Sequence, residues 1–498
     1  MAQHPFEPPR PSHTKIVATV GPACDTKQRL AELLVAGVDV FRVNMAHGKP
    51  ADQEPRLATI RAASEETGHL VAVLADLAGP KIRLGELPGD ELTLDVDDTV
   101  YFLRQAEPAG QDPEAPPDSE RSPEQTVHSL TTNYAPLVDE LQPGDRVMLA
   151  DGTVSLEVEA ATADRARCRV VQPGLIRSRQ GVNLPGVKLS APALGPEDRE
   201  NAIWAAGAGI DFVGLSFVRS PEEVRALKAL LAEHGSRAQV IAKIEKPEAV
   251  ERLEEIVEAT DGVMVARGDL GVEIDIARVA VEQKRIIAEC NRRRKPVIVA
   301  TQMLDSMQHS RVPTRAEVAD VANAILDGTD ACMLSGETAI GRFPRQAVEM
   351  MHRIALATEP LCREGPPARL PDLKGEDINP ITEATVFAAG RMAEELDAKL
   401  VVVASASGST ALSMAKNRHW VPTIGVSDSP ETLRRICLYW GMIPMAGAPT
   451  VESHALLEHV TAWARSQGVL EGGDRIVLVA GTGLKVTAHN MIVVHELE

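Results

Sequence analysis

The sequence predicts an α/β protein built on a TIM (β/α)8 barrel, with a β-rich domain inserted into it and a separate α/β domain following it. Three observations carry this expectation. Short runs of Val, Ile and Ala alternate eight times with helix-like stretches rich in Ala, Leu and Glu, the pattern of βα units around a parallel sheet buried on both faces. Between the third and fourth runs the pattern changes to the alternation of exposed β-strands. Past residue 357 a Pro-marked stretch leads into a fresh set of strands.

Taken in order, the barrel strands are expected at Lys15–Val20, Val38–Met45 and Leu70–Asp76, then at Asp211–Phe217, Gln239–Glu245, Gly262–Arg267, Pro296–Thr301 and Asp330–Ser335. The gap after Asp76 holds "ELTLDVDDTVYFL" and "DRVMLADGTVSLEVEA", which read as β-strands, and "EPAGQDPEAPPDSERSPEQ", whose Pro, Glu, Asp and Ser content predicts a mobile excursion. The last part holds "KLVVVASAS", "PTIGVSD", "RIVLVAGT" and "MIVVHELE", strands of a sheet of its own. The expected division is barrel 1–84, insertion 85–183, barrel 184–357, linker 358–374 and C-terminal domain 375–498.

Composition excludes several function classes. With 71 acidic against 52 basic residues the net charge is −19, so the surface as a whole repels a nucleic-acid backbone, and any bound phosphate must meet a local positive pocket. No apolar run reaches the roughly 18 to 20 residues of a membrane span, and the first residues lack the apolar core of a secretory signal, so the expected location is the cytoplasm. Six widely spaced cysteines without a C-x-x-C pair predict buried reduced thiols instead of disulfides or a zinc site.

In barrels of this class the chemistry gathers at the carboxyl ends of the strands. Those ends carry Arg42 and Asn44, Asp76, Lys243 and Glu245, Arg267 and Asp269, Thr301, and Ser335 with Glu337. Residues two apart on a strand share a face, so Lys243 and Glu245 point to the same side. A mutual salt bridge would explain that pair alone. With Asp269 from the neighbouring strand end, Glu245 can also supply hard oxygens to Mg²⁺, and Lys243 and Arg42 then become donors for a phosphoryl group or an oxyanion. The glycine and helix start in "ARGDLG" offer backbone N–H groups to a carboxylate, although a plain Asp cap explains the stretch as well. Thr314 to Glu317, "TRAE", has capping-box spacing and a structural explanation. His47 follows the second strand, where a surface histidine is the common case.

The motifs "TKIVATVGPA", "FRVNMAHG", "KIEKPE", "MVARGDLGVEI", "ATQMLDSM", "PTRAEVADVANAILDGTDACMLSGETA" and "GVNLPG" together resemble the pyruvate kinase family over nearly the whole chain. The resemblance implies a barrel with an inserted β-barrel lid and a C-terminal α/β effector domain, in a homotetramer. It implies phosphoryl transfer from phosphoenolpyruvate to ADP, giving pyruvate and ATP. Glu245 and Asp269 would hold Mg²⁺ or Mn²⁺. Lys243 and Arg42 would stabilise the transferring phosphoryl group, and Gly268, Asp269 and Thr301 would bind the substrate carboxylate. Thr301 and Ser335 would serve the proton transfer, while Arg83, His47 and Asn44 would contact the nucleotide. Ser405, Ser407, Gly408, Ser409 and Thr410 would form a loop for a sugar-phosphate or nucleotide effector.

Some positions depart from the family pattern. Ala46 stands where a serine is usual, "DLAGPKIRL" replaces a more polar stretch, and Gln180 beside Arg179 replaces a lysine that reaches the nucleotide. The family's K⁺ site would use oxygens at Asn44, Ala46, Asp76 and the Leu77 carbonyl. Here Ala46 has no hydroxyl, and Lys81 replaces a glutamate, so the expectation is activity without K⁺. Two other classes fit less of the chain: a Mg²⁺-dependent pyruvate or oxaloacetate lyase, and a catalytically silent effector-binding protein.

Overall fold

The computed structural model describes residues 12–46, 48–104, 126–150, 152–363, 379–450, 452–481 and 490–498. Eight parallel strands close into a barrel: Lys15–Thr19, Val40–Asn44, Ala72–Asp76, Phe212–Leu215, Gln239–Ile244, Gly262–Ala266, Val297–Ala300 and Ala331–Leu334. Each lies inside an expected run. Seven of the eight expected carboxyl ends extend one or two residues past the ladder, and only Asp76 closes its strand as expected. Val17, Val40, Leu74, Phe212, Ile241 and Met264 fill the barrel interior. Their neighbours Ile16, Phe41, Val73 and Val213 pack outward among the helices. That alternation of two buried faces explains the near-continuous apolar runs.

The insertion is a β-structure whose main sheet has six strands, among them Thr99–Leu103, Arg146–Leu149, Val154–Ala161 and Arg165–Gln172. Alternate residues of the long strand, Val154, Leu156 and Val158, are buried, as period two requires. The excursion at Glu107–Gln125 lies outside the described residues. The two chains that enter and leave the insertion are tied to each other: Leu84 N–H donates to Gln180 O and Val182 N–H to Ile82 O, both at 2.9 Å.

The C-terminal domain has a five-stranded sheet. Four of its strands were expected; the fifth, Met442–Met445, contains Pro444 and carries no strand signal in the sequence. The last barrel helix runs Pro344–Arg363, so residues 358–363 are helical. This domain closes the amino end of the barrel. Lys15 Nζ donates to Met442 O at 2.6 Å and pairs with Asp39, Arg434 Nε donates to Asp211 at 2.7 Å, and Arg294 pairs with Glu383 at 2.6 Å. The free cysteines are buried except for the half-buried Cys362. The Thr314 and Glu317 capping box is present. Among the described residues no helix is long and apolar enough to cross a membrane.

His419, near the barrel junction, lies flat against Gly390 of the helix Pro380–Glu395, where an added Cβ would come within 2.1 Å of three imidazole atoms. Overpacking of this kind costs about 1–3 kcal/mol. Gly390→Ala is therefore expected to lower the first transition in a calorimetric melt by several degrees, and His419→Ala in the same chain to recover part of the loss.

Candidate active site

The carboxyl rim of the barrel collects four charges largely withdrawn from solvent. Lys243 stands on the fifth strand with its ammonium 3.2 Å from Asp76 Oδ1 and 3.0 Å from Glu245 Oε1. Arg42, on the second strand, donates from Nε to Asp76 Oδ2 at 2.7 Å and from Nη1 to Thr19 Oγ1 at 3.1 Å. Burial works against charge on Lys243 and Asp76, and the opposite charges outweigh it. The Lys243 ammonium is held above its ordinary pKa by Asp76 and Glu245, and the Asp76 carboxyl below its own by Lys243 and Arg42.

Ser216, just past the fourth strand, accepts a hydrogen bond from Lys243 Nζ at 2.6 Å and passes its own proton to Leu77 O at 2.7 Å. This aims the ammonium. The next residue, Phe217, has φ +55° and donates its N–H to Glu245 Oε2 at 2.7 Å. Its ring leaves no room for a side chain at Gly79, where an added Cβ would meet it at 2.7 Å. The sequence reading passed over Ser216 and Phe217. A serine inside the apolar run "VGLSFV" was the one available signal for the first, and the left-handed backbone of the second had none.

Glu245 is fully buried, which pushes its carboxyl upward; Lys243 opposes that push and Asp269 adds to it. Its Oε1 has no hydrogen bond of acceptable angle, only the ammonium nearby. Asp269 lies just past the sixth strand, in the first turn of the helix Arg267–Glu273. Lys81 Nζ lies 3.6 Å from its Oδ1. Among the described residues no cluster of three or more His, Cys, Asp or Glu forms a metal cage. Two carboxylates are what a Mg²⁺ that keeps substrate and water ligands requires.

Thr301 adopts φ +70°, an uncommon conformation for a β-branched residue and more than a strand cap needs. Its Oγ1 accepts the Gly268 N–H at 2.7 Å and donates to Ala300 O at 2.6 Å. Two residues expected at the mouth turn elsewhere. Arg267 is spent on Asp320, Thr301 O and Met303, and the buried Glu337 carboxylate takes the N–H groups of Ser335 and Leu304. Ser335 itself sits at the end of the eighth strand, as expected.

Between barrel and insertion lies a cleft of about 770 Å³ lined by Ala46, Lys81, Arg83, Tyr134 and Asp198. Arg83 Nη1 donates to Arg179 O at 3.2 Å across the root of the insertion. Gln180 turns its amide oxygen back to the Arg177 N–H at 2.7 Å, and Arg179 pairs with Glu86. His47 lies outside the described residues. In the C-terminal domain Ser405 Oγ accepts the Gly408 N–H at 3.1 Å, Gly408 has φ +92°, and Ser407 and Ser409 bond to each other at the start of the helix Ser409–Lys416, with Thr410 in its first turn. Residues 482–489 lie outside the described residues.

A (β/α)8 barrel whose carboxyl rim holds a buried lysine, two arginine and serine props and a pair of carboxylates under an inserted β-domain defines a class: barrel enzymes that act on small phosphorylated or carboxylated substrates. The family follows from the comparisons. Residues 11–348 match the model for the pyruvate kinase barrel domain and residues 383–495 that for the pyruvate kinase alpha/beta domain. A pyruvate kinase from Mycobacterium intracellulare is 40% identical over 97% of this chain and 98% of its own length. One from Geobacillus stearothermophilus is 38% identical over 97% of this chain and 80% of its own. A crystal structure of a pyruvate kinase from Cryptosporidium parvum superposes with a TM-score of 0.85 at 31% identity, over 98% of this chain and 97% of that one. The chain belongs to the pyruvate kinase family, and its function is that family's phosphotransferase activity.

Removing the prop of the buried ammonium tests the site. A hydrogen bond to a charged group is worth about 1.5–3 kcal/mol, so Ser216→Ala is expected to lower kcat by about tenfold or more with an unchanged far-UV spectrum.

Proposed function

We propose that the rim around Lys243 transfers the phosphoryl group of phosphoenolpyruvate to ADP, giving pyruvate and ATP in glycolysis. The observation that carries the reading is the Lys243 ammonium, buried between Asp76 and Glu245 and aimed by Ser216. Glu245 and Asp269 are the residues to hold a divalent cation, Mg²⁺ or Mn²⁺, and the unsatisfied Glu245 Oε1 in a buried, electron-rich setting fits one. Such a cation supplies neutralisation of phosphoryl and enolate oxygens.

The chain's own residues do the rest. Lys243 and Arg42 offer fixed donors to the transferring phosphoryl group in a largely buried site, where such donors act more strongly than in water. The substrate carboxylate takes the N–H groups of Gly268 and Asp269, which requires Thr301 Oγ1 to release the bond it accepts from Gly268. Thr301 and Ser335 are the proposed route by which a proton reaches the enolate. Arg83 and Asn44, with His47, serve the nucleotide. The lyase and silent-sensor readings have no observation in their favour, since neither needs a buried lysine beside two carboxylates under a lid.

The reading extends to the setting. We take the protein as cytoplasmic and as a homotetramer, and the exposed Ile276, Val281, Val312 and Ile340 support burial against further copies. The Ser405 to Thr410 loop is the proposed seat of a sugar-phosphate or nucleotide effector. No K⁺ is required. The oxygens of the usual site already have partners in this chain: Asn44 Oδ1 accepts the Ala46 N–H at 3.1 Å, Leu77 O accepts from Ser216, and the Asp76 carboxylate is ion-paired with Arg42 and Lys243. Lys81, beside Asp269, supplies the positive charge instead.

Lys243→Met is expected to leave the fold intact and to cut turnover by a factor of about 10²–10³ or more; near-normal ATP formation in a coupled assay would refute the assignment. With tetramethylammonium replacing K⁺ at equal ionic strength and constant Mg²⁺, kcat is expected to change less than about twofold, whereas Lys81→Glu should lose activity in that buffer, because the nearest cation would become an anion next to Asp269.

A further inference from the structure

The stretch "KIEKPE" holds a second lysine that the site described so far leaves unused, and "ARGDLGVEI" holds a second acid. Lys246 follows Glu245 directly, and Glu273 lies one turn beyond Asp269 in the helix Arg267–Glu273. Both are withdrawn from solvent, Lys246 at 7% exposure and Glu273 at 5%. They meet each other there: Lys246 Nζ donates to Glu273 Oε1 at 2.7 Å. Burial pushes the Glu273 carboxyl upward, opposed by Lys246 and by the amide of Asn183, which comes from the strand by which the chain leaves the insertion.

A buried ion pair contributes little net stability, because desolvation consumes most of the attraction. Its effect is on position. The ladder between the fifth and sixth strands ends with Ile244 opposite Val265, so both carboxylates assigned to the cation lie beyond the last paired residues. Past that point the ion pair ties the two segments together. It grips one at the residue after Glu245 and the other at Glu273, which shares a helix face with Asp269 four positions earlier. A helix of seven residues is too short to hold its course by its own hydrogen bonds and takes its direction from tertiary contacts such as this one. On the other side, the Phe217 N–H pins Glu245, and the Lys246 ammonium lies 5.9 Å from the centre of the Phe217 ring.

We propose that the Lys246–Glu273 ion pair is a strut that fixes the spacing of the Glu245 and Asp269 carboxylates, and thereby the preference for Mg²⁺ over larger divalent cations. The inference rests on the placing of the cation at those two carboxylates. Lys246 and Glu273 are positioning residues, since they act through their neighbours. Mg²⁺ demands near-ideal octahedral geometry with bonds of about 2.0–2.1 Å, and carboxylates free to drift apart meet that demand less well than they meet the longer bonds of Mn²⁺. Groups that orient metal ligands from behind are commonly worth about 10–100-fold in affinity.

Binding of Mn²⁺ to the full-length protein without substrate should be followed by the electron paramagnetic resonance of the free ion, with Mg²⁺ then used to displace it, so that both Kd values come from binding instead of turnover. The readout is the Mg²⁺ Kd divided by the Mn²⁺ Kd. Both ions are divalent, so a change in nearby charge moves the two alike and cancels in the ratio. Glu273→Gln and Lys246→Met are each expected to raise it at least about fivefold. Lys246→Met combined with Glu273→Leu leaves neither charge buried without its partner, so this chain should melt no lower than the single variants. Its ratio is expected to stay raised, which an ion pair that only stabilised the fold would not produce. Glu245→Gln reports on the cation's place. If the parent protein has no saturable Mn²⁺ site, or Glu245→Gln keeps it at full strength, the placing of the cation is wrong and the strut falls with it. If Glu245→Gln loses the site but the doubly substituted chain raises the ratio less than about fivefold, the strut alone is overturned.

Discussion

Everything at the active rim depends on one constraint: an ammonium without water must be surrounded by oxygens, and those oxygens must in turn be held. Lys243 meets it with Asp76, Glu245 and Ser216. Asp76 is then fixed by Arg42, Arg42 by Thr19, and Glu245 by the Phe217 N–H. The strand registers serve this arrangement. Asp76 sits opposite Asn44 on one side and Gly214 on the other, and an added Cβ at Gly214 would lie 2.9 Å from Asp76 Oδ1. A buried charge lacking one of these partners would be strongly destabilising, so the chemistry and the local fold are inseparable.

The barrel was legible because strands buried on both faces leave an unbroken apolar trace, and the lid because its strands alternate. Strand ends were less so. The helix start read in "ARGDLG" is present, but it begins at Arg267, so the residue expected to end the sixth strand is already helical. The charged residues at the mouth were all visible, but their directions were not. Arg267 and Glu337 have the same kind of position as Lys243 and Glu245, yet they serve neighbouring loops. Composition cannot tell a charge facing a substrate from one facing a backbone N–H.

The departures around the third strand gain meaning from hydrogen bonds that a sequence does not display. Ala46 by itself only removes a hydroxyl. In the fold, its N–H also occupies Asn44 Oδ1, while Ser216 occupies the Leu77 carbonyl. The lid shows the same limit. Gln180 stands where a nucleotide contact would be sought, and its amide oxygen accepts from the turn it sits in.

The paired chains at the root of the insertion, Ile82 to Leu84 against Gln180 to Val182, have an evolutionary consequence. Because they are zipped together, the barrel experiences the whole insertion as a short hairpin at one of its loops, and the entropy of closing that loop is little affected by what lies beyond the zipper. A recombination event between these two points could exchange, lengthen or delete the intervening module and leave the eight-stranded ladder in register. Such a joint lets a cap diversify among lineages faster than the barrel that carries it.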